Sequence, residues 1–477
     1  MAEASEAATV NIELNDEVKI DHDQTAQQGT QPDDFVADED GTEELPPLTY
    51  KDFVPECLGV TIEGKEPDYA EFSTVIEQAN QWLQTVPQFT VFKCETISVK
   101  LGADFVVEND VTLSHQSSNG RNVYLRILRV WLIKKQDLES PVQQLGYITV
   151  LPEHSSGDLT TYLNSLATSA ANKQLVDLMI PSFDNIKQTL EKINRHLLSK
   201  PIPGQILNME TLVLKCQEAS TTDKLDTEKA TYTEGGGNSK LFLYGFRIFY
   251  VVGKPSLETV GFYDEQPDIF QTKEDFGLKI KFATFNQTLA KAAKWLKKQK
   301  GIRVTNIQSV TVKLDRNKCG SGPWSLETTV PGYTENQSLV ESRYTKIIRI
   351  YYVNDPKTKQ TARYADVTMA SRLFIPQRIE GRMFEGFSKT LTRTIKWLHK
   401  TGLPLFACET VKYHLTNDSE GQGFNDERLD YMVNTYHGQL YISCIRLYFP
   451  CTFEEPPPDK ADGEDLGWGW GWACVVS

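Results

Sequence analysis

Apolar runs in this 477-residue chain are short: the longest, such as Leu241 to Val252, is interrupted by Gly245 and Arg247. A spanning helix needs roughly 20 apolar residues, so none is expected. The opening Met1-Ala2-Glu3-Ala4-Ser5-Glu6 has neither the basic and apolar segments of a secretory signal nor a glycine at position 2 for myristoylation. A cytoplasmic protein is expected. Cysteine is sparse, with eight residues and no CxxC pair, and neither the cysteines nor the seven histidines fall at metal-ligand spacing. That excludes a disulfide framework or a zinc module and leaves reduced thiols. The sequence also has no P-loop, no GxGxxG between strand and helix, no GxSxG elbow and no HExxH. Gly235-Gly236-Gly237 is not followed by the Lys-Ser/Thr of a phosphate cradle. No catalytic residue, cofactor or metal is assigned, and the reading leans away from an enzyme.

The charge that is present is segregated. Residues 1–46 carry 14 Asp/Glu against Lys19 (−13) and residues 452–477 carry six against Lys460 (−5). Residues 47–267 carry 20 Lys/Arg against 27 Asp/Glu (−7), and residues 268–451 carry 28 against 17 (+11), which sums to the net −14. Residues 1–46 are too polar to offset chain entropy by burial and read as a disordered acidic tail. Residues 452–477 read as an acidic linker, with Pro456-Pro457-Pro458 followed by a Gly/Trp run from Gly467. Overall acidity argues against nucleic acid as a partner.

Between the tails three signatures recur. The first is a stripe spaced for one face of a helix: Phe72, Ile76, Ala79, Trp82, Leu83, then Phe285, Leu289, Ala292, Trp295, Leu296, then Phe387, Leu391, Ile395, Trp397, Leu398, with a degenerate copy from Phe183 to Leu197. The second is an alternating, β-branched run beginning at Cys94-Glu95-Thr96, Met209-Glu210-Thr211, Ile307-Gln308-Ser309 and Cys408-Glu409-Thr410. The third is Arg followed by apolar and aromatic residues at Arg129, Arg247, Arg349 and Arg446. A further strand ends near Gly146-Tyr147-Ile148, Gly261-Phe262-Tyr263 and Val367 to Phe374 and is expected to close each of the first three units. The expected fold is α+β: four tandem helix-strand-strand-strand modules of about 100 residues, each a helix on a small antiparallel sheet. Their bounds are 47–153, 154–267 with a helical insert at 157–180, 268–377 and 378–451. Glu95/Arg129, Glu210/Arg247 and Glu409/Arg446 are expected to bridge neighbouring strands inside their own modules, and Trp82, Trp295 and Trp397 to anchor cores.

The last four residues, Cys474-Val475-Val476-Ser477, resemble the C-a-a-X box of prenylated proteins, and a terminal Ser favours farnesyl. The resemblance implies a lipid on Cys474, removal of Val475 to Ser477, carboxyl methylation, and a prenyltransferase and processing enzymes as partners. One prenyl chain anchors reversibly, so a second signal is expected. Candidates are Trp468, Trp470 and Trp472, because indoles favour the membrane interface. A second candidate is a basic surface of Lys291, Lys294, Lys297, Lys298, Lys300, Arg303, Lys389, Arg393, Lys396 and Lys400 facing an anionic leaflet. The expected function is a non-enzymatic, prenyl-anchored peripheral membrane protein acting as a binding or scaffold module, its protein partner unidentified. The alternative is a soluble small-molecule binder or enzyme with a pocket between helix and sheet.

Overall fold

The structure, a computed structural model, describes residues 45–457 apart from 61–66, 103–104, 118–121, 155–182, 217–225, 235–238, 275–276, 317–323, 337–340, 355–361, 381–382, 416–424 and 435–438. The insert expected at 157–180, nearly all of the acidic tail, and residues 458–477 lie outside the described residues.

The helical stripes form helices at Phe72–Leu83, Ile186–Ser199, Phe285–Leu296 and Phe387–Thr401. The second signature forms the long strands Phe89–Lys100, Gly204–Cys216, Ile302–Lys313 and Ala407–Leu415. The third forms Asn122–Lys134, Ser239–Val252, Glu341–Asn354 and Gln439–Phe449, each paired antiparallel with its predecessor.

The way these elements assemble corrects the expected α+β class. Among the described residues about half are strand and about a sixth helix, and four sheets stand as the blades of a propeller-like ring rather than as four helix-on-sheet modules. The run expected to close each unit pairs instead with the next blade. Leu145–Val150 joins the second blade, Thr259–Glu265 the third and Ala370–Phe374 the fourth, while Thr49–Phe53 takes that place in the first. These are the leading strands. A short strand between the two long ones crosses the other way, onto the preceding blade: Thr231–Glu234 onto the first, Gly332–Asn336 onto the second and Asp430–Asn434 onto the third. Leu113–Gln116 of the first unit pairs with Gln439–Phe449 of the last, which closes the ring. Alternating apolarity makes a run a strand and picks its buried face, but it does not choose which edge the strand finds.

Each helix wedges between two blades. The first buries Phe72, Val75, Ile76 and Ala79 against its own blade and against Leu145 and Phe249 of the second. The third packs on Ile348 and Ile350 and on Ala407 and Tyr448 of the fourth blade. The fourth reaches Tyr50 and Trp131 of the first. Burying one such Phe, Leu or Ile stabilises by about 1.5–3 kcal/mol, so every wedge couples two blades. Trp397 lies in the core among Phe374, Phe449 and Phe453, and Trp295 stacks on Tyr263 at 4.1 Å.

Helix starts reinforce the coupling. The first N–H groups, of Phe72, Ile186, Phe285 and Phe387, donate to carbonyls of Glu228, Thr329, Glu427 and Asp110, each in the arm that leads to an exchanged strand. The carboxylates of Glu228, Glu427 and Asp110 also accept the next N–H, from Ser73, Asn286 and Ser388. An acid here satisfies an orphan donor and meets the positive end of the helix dipole, worth about 1 kcal/mol.

Candidate functional site

The inner strands Phe89–Lys100, Gly204–Cys216, Ile302–Lys313 and Ala407–Leu415 surround the ring axis, each with a free edge whose backbone groups need partners. The repeated acid or amide supplies them across the gap. Glu210 accepts the Thr96 N–H at 3.1 Å, Gln308 that of Thr211 at 3.0 Å, Glu409 that of Ser309 at 2.7 Å, and Glu95 that of Thr410 at 3.2 Å. Every blade thus holds the one before it, and the first holds the last. A second tier lies two residues earlier. Asn208 bonds both backbone groups of Cys94, Asn306 donates to the Met209 carbonyl, and Lys93 donates to that of Cys408. Ala407 leaves the fourth position without one.

The repeated Glu and Arg are cross-strand neighbours within their own blades, as expected, and Arg446 lies 3.9 Å from Glu409, but both residues of each pair also reach beyond their blade. The glutamates face the axis, while the arginines face the wedge between blades. Arg247 lies 3.7 Å over the ring of Phe72, Arg446 3.5 Å over Phe285 and Arg129 3.8 Å over Phe387, a cation–π contact with the helix start of the preceding unit. Arg129 and Arg349 make bidentate bonds to Asp52 and Asp264 of their leading strands, where the second and fourth blades offer Thr149 and Ser371.

Among the belt residues, Lys93, the repeated arginines and the leading-strand acids, charge balances blade by blade. In the third blade Asp264 neutralises Arg349 and the belt position is uncharged Gln308. In the first, Asp52 and Glu95 are matched by Arg129 and Lys93. In the second and fourth, with no leading-strand acid, Glu210 and Glu409 oppose Arg247 and Arg446. Burial outweighs Arg247 and the Thr96 bonds at Glu210, raising its carboxyl to about 7. A raised folded-state pKa means that this group's stability is present below its unfolded value near 4.5 and is lost as pH climbs to about 7. Glu210→Gln is therefore expected to flatten the dependence of unfolding free energy on pH between about 5 and 7 by up to one proton. Urea melts across that range check it, and equal slopes in the two chains would refute it.

Beside the belt the axis opens into a cavity of about 290 Å³. Its floor is Glu95, Glu210, Gln308 and Glu409, and its wall includes Lys346, Lys412, Glu234 and the rings of Tyr124, Tyr232, Tyr431 and Tyr441. An adjoining recess between the first two blades holds Arg126, whose guanidinium sits 4.5 Å from the Tyr232 ring. Lys346 Nζ donates to Thr311 Oγ1 at 3.3 Å and Lys412 Nζ to the Ser98 carbonyl at 2.5 Å. Burial lowers both ammonium groups to about 8, against the pull of Glu409 on Lys346 and Glu234 on Lys412. The cavity lies on the axis, not between a helix and its sheet.

Lys346 and Lys412 were not singled out by the sequence reading, although a signal exists. Lys412 stands three residues after the belt position, where the other copies have Ser98, Val213 and Thr311. Lys346 stands three before the repeated Arg, where they have Arg126, Tyr244 and Ser443. Divergence in register, rather than repetition, marks the site.

The sequence candidates fall elsewhere. Cys474, Trp468, Trp470 and Trp472 lie outside the described residues. Of the basic set, Lys291 is bridged to Glu265 and Asp268, Arg303 to Glu258 and Arg393 to Glu385. Lys294, Lys297, Lys298 and Lys300 are exposed on and after the third helix, and Lys389, Lys396 and Lys400 on the fourth. Among the described residues no group of three His, Cys, Asp or Glu side chains is placed to hold a metal, and no helix is long and apolar enough to cross a membrane. No family model, curated protein or solved structure matches the chain.

Proposed function

We propose that this chain is a non-enzymatic binding module held at the cytoplasmic face of a membrane by a prenyl group on Cys474. The observation that carries the binding half is the axial cavity, to which all four blades contribute and whose wall differs from blade to blade on an otherwise repeated frame. The repeated ionisable residues beneath it are engaged in closing the ring, which favours a binding role over a catalytic one.

The Cys474-Val475-Val476-Ser477 box supports the anchor. Its acidic flank means that the second membrane signal lies in Trp468, Trp470 and Trp472 or in the exposed lysines of the third and fourth helices. Each basic side chain close to an anionic leaflet adds about 1 kcal/mol. Fractionation of cells expressing wild type beside Cys474→Ser tests the anchor. The substitution is expected to shift the protein from membrane to supernatant, with intact mass showing a farnesylated, methylated Cys474 terminus in the wild type alone. Equal membrane recovery of the two chains would sink the proposal.

A further inference from the structure

The axial cavity contains two lysines with few hydrogen-bond partners among the described residues. Its belt carboxylates are occupied: Glu95 accepts from Thr410, Trp131 and Lys93, Glu210 from Thr96, and Glu409 from Ser309 and Tyr448. Each also has a base beside it in Lys93, Arg247 or Arg446. The two lysines are not filled. An ammonium carries three N–H donors, and Lys346 and Lys412 each reach a single neutral oxygen among the described residues. Lys346 is only 5% exposed and its Nζ lies 5.3 Å over the Tyr413 ring, so its contact with bulk solvent is small. An occupant that brings acceptors and negative charge completes what Glu409 and Glu234 begin, because a buried, under-bonded cation is costly. The volume sits at the lower edge of the roughly 300–1,000 Å³ usual for ligand sites, which selects a compact molecule. Tyrosine rings on the wall offer flat apolar faces for its uncharged part, and Glu234 on the same wall disfavours a second anionic group.

We propose that the axial cavity binds a small phosphomonoester, with its phosphate between Lys346 and Lys412 and its remainder against the tyrosines. The ligand deepens the binding role proposed above and is independent of the lipid, so the site is expected intact in Cys474→Ser. An anion between the lysines favours their charged forms. Binding near pH 8 to 9 therefore takes up protons, and affinity falls as pH rises through that range. The charged and titratable groups facing Lys346 are Glu409 and Tyr413 of the fourth blade's inner strand and Arg446 and Cys444 of its central strand. Glu234 faces Lys412 from the exchanged strand.

Calorimetric titration of the full chain with glycerol 3-phosphate and with inorganic phosphate, against sodium chloride at matched ionic strength, tests the site. Binding is expected in wild type and Cys474→Ser and at least tenfold weaker in Lys346→Met and Lys412→Met. Those variants keep side-chain length without charge, and far-UV circular dichroism verifies their folding. Vesicles of phosphatidylcholine with and without phosphatidic acid, mixed with Cys474→Ser, distinguish the phosphate's source. Lys346-dependent capture by phosphatidic acid assigns it to a lipid headgroup, and binding of the soluble esters alone assigns it to a free molecule. Equal binding by wild type and the Lys346→Met/Lys412→Met double variant, or no heat with any probe, overturns the proposal.

Discussion

Deleting residues 378–477, the last helix and the strands after it, is expected to unfold the remaining chain rather than leave three-quarters of a ring. The cut removes the exchanged strand Asp430–Asn434 from the third blade and the seat of Leu113–Gln116 from the first unit. It also removes the fourth-blade groups held by Glu95 and Lys93, and the ring of Phe387 from under Arg129. Each buried apolar side chain that loses its packing, such as Tyr50 and Trp131 against Phe387 and Leu391, gives up about 1.5–3 kcal/mol, and a few of these equal the 5–15 kcal/mol that keeps a domain folded. Loss of near-UV dichroism and of a cooperative melt is the expected readout. A circular permutant is the control. Leu48 and Phe453 meet in one apolar cluster, so a short linker can join the ends of the ring, with new termini opened in the exposed turn at Leu138-Glu139. The permutant is expected to melt cooperatively near the wild-type temperature. If the truncated chain does so too, the blades are independent and the account of ring closure fails.

Asp264→Thr is expected to cost about 3–5 kcal/mol, because it leaves Arg349, 1% exposed, without its bidentate partner. The second blade makes that arrangement viable by placing Glu210 on the belt opposite Thr149 and Arg247. Adding Gln308→Glu should therefore convert the third blade to the second blade's pattern and recover more than half of the loss. Urea denaturation of the wild type, both single variants and the pair gives the coupling energy. Strictly additive effects would show that the acid's position on the belt or the leading strand has nothing to do with the arginine.

The helices, the long strands and the fourfold repeat were legible because each rests on local spacing: Phe72 to Leu83 has a helix period, and Cys94 to Lys100 alternates. The ring was not, because pairing partners are non-local. Gly146-Tyr147-Ile148 alternates equally well whether it folds back on its own blade or lies along the next. The repeated Glu and Arg were legible as cross-strand neighbours within a blade, but the bonds that the glutamates make to the adjoining blade were not, for the same reason. Glu95 is tied to Thr410, far along the chain, and no spacing records that. The cavity lysines were hidden by the repeat itself, since reading for similarity passes over Ser98, Val213, Thr311 and Lys412 as mere variation.

The strand Leu113–Gln116 also sets a schedule for synthesis. It leaves the ribosome early, yet its seat on Gln439–Phe449 appears only after nearly all the remaining chain has been made. At about 5–20 residues per second the nascent protein carries an unpaired β-edge for on the order of half a minute. Such an edge is a template for wrong pairing. Translation speed and chaperone supply should therefore govern the yield of this protein more than the stability of the finished ring does.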